Sequence, residues 1–124
     1  MKPIRWTYTD ALRLLEKAVA DKGEDYKYES VGGHYHCQYF DQGQPSCIVG
    51  HALAADGVTE QDLREADPSR HLNLVDVGTL AKRGLLEMDD ATQKLLGTVQ
   101  DEQDCGTPWG EALRIAQQAV EDSE

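Results

Sequence analysis

The chain has 124 residues, the usual size of one domain, and 40% of them are hydrophobic, which is enough for one compact core. Its 23 acidic and 12 basic residues give a net charge of −11, which argues against sequence-independent binding to nucleic-acid phosphate or to an anionic membrane. No segment approaches the roughly 20 consecutive apolar residues of a membrane span, and no apolar signal-peptide core follows the N-terminus. We therefore expect a single cytoplasmic domain over residues 1–124.

The first part of the chain predicts a helix and then two strands. Thr9 can cap a helix over residues 10–22, where apolar side chains recur at helical spacing until Gly23. Aromatic and polar residues alternate over residues 26–30 and 35–40, on either side of a Gly-Gly break, which predicts a pair of antiparallel strands. Residues 41–45 have turn chemistry and are expected to close this β region.

The middle of the chain predicts short helices. Ser46 can cap an apolar helix over residues 47–55, which stops at Gly57. Thr59 and Asp62 have the spacing of a capping box and predict a small helix around Leu63. A further short helix is expected near residues 77–83, with an extended residue or two on either side.

The C-terminal third predicts two longer helices and carries most of the negative charge. Asp89 or Asp90 can cap a helix over residues 91–103, and Thr107-Pro108 can start a last helix that runs through Val120. Residues 88–124 contain two bases and nine acids, a net charge of −7, whereas residues 1–24 carry a net charge of +1. The predicted fold class is α+β, with a small antiparallel hairpin or sheet packed by about four to five helices.

The first and last helices resemble each other. Residues 10–19 align without gaps with residues 111–120, and a tryptophan, Trp6 or Trp109, stands shortly before each segment. Similar burial needs explain such a likeness without a structural repeat. A more specific hypothesis is that the two helices are neighbours, since their alanines would allow close approach.

Histidine and cysteine residues cluster between residues 34 and 51, which raises the question of a metal site. Alternation along a strand would send His36 and Cys37 to opposite faces, so four ligands are hard to assemble, and we predict no metal and no cofactor. A thiol/histidine site is the alternative, because Cys47 near a helix N-terminus could pair with His36 or His51. No residue is evident that would orient the base, and we therefore interpret Cys47 as structural. The three cysteines, Cys37, Cys47 and Cys105, are expected to be free thiols. One disulfide between two of them is the alternative.

Two stretches resemble a family of small uncharacterised actinobacteriophage proteins. The first is the segment Pro45-Ser46-Cys47-Ile48-Val49-Gly50-His51-Ala52-Leu53, which fits a P-[SG]-C-[LIV]-V-G-[HQ]-x-L motif. The second is the run from Gln100 to Asp104 followed by Gly106 and Pro108-Trp109. The resemblance implies an accessory protein that acts in the cytoplasm of a bacterial host, and it implies no activity.

Three functions follow from these observations. The leading hypothesis is a small acidic protein without catalytic activity that binds and modulates a host protein, with no direct contact to nucleic acid or membrane. The first alternative is an acidic decoy that imitates nucleic acid, and the second is an enzyme or metal-binding protein centred on Cys47. The oligomeric state stays open.

We expect the contact surface at the junction of the last two helices. In this hypothesis the acids steer a basic partner and an aromatic residue anchors it. The simpler interpretation is that the tryptophan belongs to the core and that the acids solvate a helix end. The residues of this predicted site are Asp101, Glu102, Asp104 and Trp109.

Overall fold

The computed structural model describes residues 3–28, 38–66, 73 and 75–123, and this part of the chain forms six helices and four two-residue strands. The α+β prediction is confirmed. In chain order the elements are β1 (Ile4–Arg5), α1 (Tyr8–Lys22), β2 (Phe40–Asp41), β3 (Gln44–Pro45), α2 (Ile48–Ala55), α3 (Glu60–Ala66), α4 (Val77–Lys82), β4 (Leu86–Glu87), α5 (Asp90–Asp104) and α6 (Trp109–Asp122).

Helix α1 begins two residues before the predicted start, because Thr7 and not Thr9 is its cap. The Thr7 hydroxyl accepts a hydrogen bond from the backbone N–H of Asp10 at 3.1 Å, and the Asp10 carboxylate accepts one from the N–H of Thr7 at 3.1 Å. This reciprocal pair satisfies two backbone donors that a helix start leaves open. The buried face of the helix consists of Ala11, Leu14, Leu15, Ala18 and Val19.

An antiparallel hairpin lies at residues 40–45, at the end of the predicted β region. Phe40 pairs with Pro45 and Asp41 with Gln44, so the segment expected to close the β region is itself a hairpin. Its turn residues, Gln42 and Gly43, have φ values of 52° and 80°. Residues 26–28, the start of the predicted first strand, are not part of a β-strand. Residues 29–37 lie outside the described part of the chain.

A second small sheet joins the N-terminal segment to the segment between α4 and α5. Strand β1 pairs in parallel with β4, with Ile4 opposite Leu86. Strand β1 was not predictable, because a strand of two residues has no periodicity to detect. The sheet is extended by a bond from the N–H of Trp6 to the carbonyl oxygen of Glu87 at 3.1 Å.

Two helices start differently from the prediction. Cys47 and not Ser46 is the N-cap of α2, and its sulfur accepts a hydrogen bond from the N–H of Gly50 at 3.4 Å. Helix α6 has Pro108 at its N-cap position and no side-chain cap. Its first amides instead donate to backbone carbonyls of the segment after α1, from Trp109 to Tyr26 and from Gly110 to Glu24, both at 2.9 Å.

The core lies where α1, α2, α5 and α6 pack together, and α2 is buried along most of its length. Helices α1 and α6 are in contact, as the likeness between them suggested. Among the described residues, no helix has the length and apolar character needed to cross a membrane.

Candidate functional site

The predicted contact surface surrounds the link between α5 and α6. Helix α5 ends at Asp104, Cys105 is its C-cap, and Gly106 turns the chain with a φ of 89°. Asp101 and Asp104 are exposed, whereas Glu102 is partly buried. The structure therefore brings the three predicted acids together on the last turn of one helix.

Glu102 is engaged in holding the link in place. Its carboxylate accepts a hydrogen bond from the Thr107 hydroxyl at 3.1 Å, and its backbone carbonyl accepts one from the N–H of Thr107 at 3.1 Å. The same residue thus fixes both the side chain and the backbone of Thr107. We assign Glu102 a structural part in the junction.

Asp104 connects the surface to the start of another helix. Its carboxylate accepts a hydrogen bond from the side-chain amide of Gln103 at 2.9 Å. The carbonyl oxygen of the same amide accepts one from the N–H of Ile48, at the start of α2, at 2.7 Å. Gln103 is buried, so this chain of bonds satisfies a helix-start donor that water cannot reach.

Trp109 is a core residue. Its side chain is 0% exposed, and its ring meets the rings of Tyr26 and His51 edge-on at centroid distances of 4.6 and 5.3 Å. Trp109 therefore has no exposed side-chain surface with which to act as the predicted aromatic anchor for a partner. The physical reason is the hydrogen bond from the backbone N–H of Trp109 to the carbonyl oxygen of Tyr26, which holds the start of α6 against the segment after α1. The exposed carboxylates of the predicted site are those of Asp101 and Asp104.

The acids of the junction stand at the unfavourable end of their helix. The last turn of α5 contains no basic residue. A helix C-terminus carries a partial negative charge, so acidic side chains there reduce helix stability, and cations would raise it. The placement of these acids is thus not explained by the stability of α5.

The thiol/histidine cluster is only partly within the described residues. His36 lies outside them. Cys47 is fully buried, and its sulfur caps α2. Burial, with a contribution from the charge of Lys22, holds the pKa of His51 below its usual value. His51 is therefore neutral at pH 7.

Metal ligands do not gather in the part of the chain that the structure describes: no three His, Cys, Asp or Glu side chains come together as a metal site there. Cys105 is a free thiol and is exposed at the end of α5. It lies beside Asp104 in the sequence, within the acidic junction.

Two buried glutamines of α5, Gln100 and Gln103, were not predicted from the sequence. Gln103 accepts from the N–H of Ile48, and Gln100 accepts from the N–H of Val77, at the start of α4, at 3.3 Å. One helix thereby supplies an acceptor for one first-turn N–H group in each of two other helices. Gln100 and Gln103 are three residues apart and therefore lie on one face of the helix. A glutamine in an acidic stretch is usually exposed, so nothing in the sequence marked these two as buried.

Comparisons with known proteins return no match. No protein-family model, no functionally described protein and no solved structure is significantly similar to this chain.

Proposed function

We propose that the chain is an acidic binding protein without catalytic activity, which attracts a basic surface of a host protein through the α5–α6 junction and so inhibits or redirects that protein. On the phage-type resemblance, the host is a bacterium and the encounter takes place in its cytoplasm. Asp101 and Asp104 provide the steering charge, and Glu102 holds the link in shape.

One observation carries this proposal: two exposed carboxylates, those of Asp101 and Asp104, occupy the last turn of α5, and that turn contains no basic residue of its own. A position that costs helix stability is a reasonable place to look for function, since binding surfaces often conflict with local stability. Charges of this kind raise the association rate with an oppositely charged partner.

Two further observations support a binding protein over an enzyme centred on Cys47. The thiol is fully buried and serves as the cap of α2. The neighbouring histidine on that helix, His51, packs edge-on against Trp109. A nucleophile and its base need an approach for substrate, which this packing of Cys47 disfavours.

An acidic decoy for a nucleic-acid-binding protein is the second candidate function. The net charge of −7 on residues 88–124 favours it. Salt separates the two functions, because a decoy complex weakens steeply with ionic strength, whereas an interface with an apolar centre loses mainly association rate.

The test begins with a partner captured from a bacterial lysate and purified, followed by association kinetics at low salt. We expect Asp101→Lys to slow association by about tenfold or more, because a repulsive charge replaces a steering one. Asp104→Asn should slow it less, since it removes one charge and keeps an acceptor for Gln103.

Glu121→Lys is the matched control. It makes the same charge change in the last turn of α6, again at an exposed position with no basic residue in that turn. We expect both lysine variants to keep or slightly raise the thermal midpoint, because a cation suits a helix C-terminus. Equal association rates for Asp101→Lys and Glu121→Lys would show that the junction is not the site.

A further inference from the structure

Helix α2 is followed by an aspartate–glycine pair, Asp56-Gly57, which occurs once in the sequence. Asp56 is the C-cap of the helix, and both residues are exposed. Gly57 has a φ of 89°, a left-handed conformation that favours glycine after a helix end. The turn therefore places next to an aspartate the residue that hinders rearrangement of its peptide bond least, because glycine has no side chain.

That rearrangement is an isomerisation of aspartate to isoaspartate. The backbone nitrogen of Gly57 bonds to Cγ of Asp56, and one carboxyl oxygen leaves as water with the amide proton and a proton from solvent. Water then opens the cyclic imide. Cleavage of the bond from nitrogen to Cγ restores aspartate, whereas cleavage of its bond to the main-chain carbonyl carbon gives isoaspartate. The two steps release and take up one water, so no other reactant is needed.

Two hydrogen bonds restrain the reacting groups in the folded chain. The indole N–H of Trp6 donates to the Asp56 carboxylate at 2.9 Å, and Trp6 is buried. The N–H of Gly57 donates to the carbonyl oxygen of Ala54 at 3.0 Å. Ring closure requires that the carboxyl group turns from Trp6 toward the Gly57 nitrogen and that this amide leaves Ala54. The reaction therefore needs a local opening of the turn.

We infer that Asp56-Gly57 is a site of isoaspartate formation in this protein and that Trp6 is the positioning residue that limits its rate. Trp6 lies 50 positions before Asp56 and is held by the bond from its backbone N–H to the carbonyl oxygen of Glu87 at 3.1 Å. Protection of the turn thus comes from the N-terminal segment. This inference is independent of the proposed function.

Isomerisation at Asp56 would alter the end of α2. It inserts one carbon, the former Cβ, into the main chain and leaves the α-carboxylate as the side group. The turn is closed by a bond from the N–H of Val58, a buried residue, to the carbonyl oxygen of Leu53 at 3.0 Å. A longer main chain changes this spacing, so the thermal midpoint should fall as isoaspartate accumulates.

The test is incubation of the full chain at neutral pH and physiological temperature, followed by digestion and separation of the aspartate and isoaspartate forms of the peptide that contains residue 56. Trp6→Phe keeps a ring in the core and removes the donor. We expect it to form isoaspartate about three- to tenfold faster than the parent, the effect of one hydrogen bond on a local opening. The chain unfolded in urea should react fastest, because neither bond exists there.

Trp109→Phe is the matched control. Trp109 is also buried, and its ring nitrogen has no hydrogen-bond partner within the described part of the chain. Its substitution should leave the rate near that of the parent. Asp56→Glu should abolish the reaction at this position, because the extra methylene disfavours ring closure. Thermal midpoints verify that each variant folds.

Three results would overturn the inference. The first is a Trp6→Phe protein that isomerises no faster than the parent. The second is an equal acceleration by Trp109→Phe, which would assign the effect to general loosening of the core. The third needs no variant: a parent that reacts as fast when folded as in urea would show that the hydrogen bonds of Trp6 and Gly57 give no protection.

Discussion

Gly50 lies where α2 passes closest to the backbone of Tyr39. A Cβ atom on Gly50 would stand 1.9 Å from the carbonyl oxygen of Tyr39, which is far inside van der Waals contact. The oxygen belongs to the backbone and already accepts a bond from the N–H of Ser46 at 2.9 Å, so it cannot move cheaply. This glycine of the phage-like motif therefore has a steric reason to be there.

We expect Gly50→Ala to lower the free energy of unfolding by about 3 kcal/mol, because α2 must shift away from Tyr39. Gly97→Ala is the control, since a Cβ on this helical glycine of α5 meets nothing within 4 Å. That variant should be more stable than the parent by about 0.5–1 kcal/mol, the gain of alanine over glycine in a helix. Chemical denaturation measures both. A similar effect of the two substitutions would show that contact with Tyr39 does not constrain Gly50.

His51 makes the stability of the fold depend on pH. Burial lowers the pKa of its imidazole in the folded chain, and the nearby positive charge of Lys22 acts in the same direction, against the weaker opposite influence of Asp21. As the pH falls below about 6.5, the unfolded chain takes up a proton at this residue before the folded chain does. Protonation thus favours unfolding, and the contribution of His51 to stability is lost on acidification.

We expect His51→Phe to reduce the loss of thermal midpoint between about pH 7.5 and pH 5.5. Phenylalanine keeps an aromatic ring against Trp109 and removes the titration, and the Nε2 atom of His51 has no hydrogen-bond partner among the described residues. Midpoints are measured across the pH range for parent and variant. An unchanged pH dependence in the variant would show that other groups cause the acid sensitivity.

At the scale of elements, α5 organises the starts of its neighbours. Its buried glutamines Gln100 and Gln103 accept hydrogen bonds from the first N–H groups of α4 and α2, and α2 is in turn packed against α1. A helix start that is buried without such partners carries unsatisfied donors. Two side chains of one helix thus help to set where two other helices begin.

Gln103→Leu should lower the free energy of unfolding by about 1–3 kcal/mol, because the N–H of Ile48 would be buried without an acceptor. Gln93→Leu is the control, since this exposed glutamine of the same helix should change stability by less than about 0.5 kcal/mol. Both are measured by denaturant unfolding. Equal stability of the two variants would mean that Ile48 finds another acceptor.

Helices with a clear apolar stripe were predictable from the sequence, and contacts between distant segments were not. The stripes of α1, α5 and α6, the capping box at Thr59 and Asp62 and the cap at Asp89 all appear in the structure. The start of α6 was misjudged because its amides are satisfied by carbonyls more than 80 residues earlier, at Glu24 and Tyr26. No local pattern contains that information.

In the candidate site, too, the local feature was predictable from the sequence and the long-range contacts were not. The cluster of Asp101, Glu102 and Asp104 on one helix end followed from the sequence, because acids close together on a helix stay close in space. The burial of Trp109 depends on Tyr26 and His51, which lie far away in the chain. The bond between Glu102 and Thr107 depends on the geometry of the turn at Gly106.

At the scale of the whole molecule, two exposed ion pairs link the N-terminal segment to later parts of the chain. Arg5 lies 2.6 Å from Glu87, and Arg114 lies 3.3 Å from Glu24. Exposed pairs of this kind contribute about 0–1 kcal/mol each. They do not offset the repulsion expected from a net charge of −11.

The free protein should therefore become more stable as salt is added, while its complex with a basic partner forms more slowly. Raising the ionic strength from about 0.01 M to about 0.1 M shortens the Debye length from about 30 Å to about 10 Å, which screens repulsion across most of a domain of this size. We expect the thermal midpoint to rise over this range and the association rate to fall, which are opposite effects of one charge distribution.

The double variant Asp101→Lys/Glu121→Lys tests the cause, because two acid-to-lysine changes bring the net charge from −11 to −7. Its thermal midpoint at low salt should be higher than that of the parent, and its rise with salt should be smaller. Calorimetry at several sodium chloride concentrations gives both slopes. A midpoint that falls with salt in the parent, or equal slopes in parent and variant, would show that self-repulsion does not limit the stability of this fold.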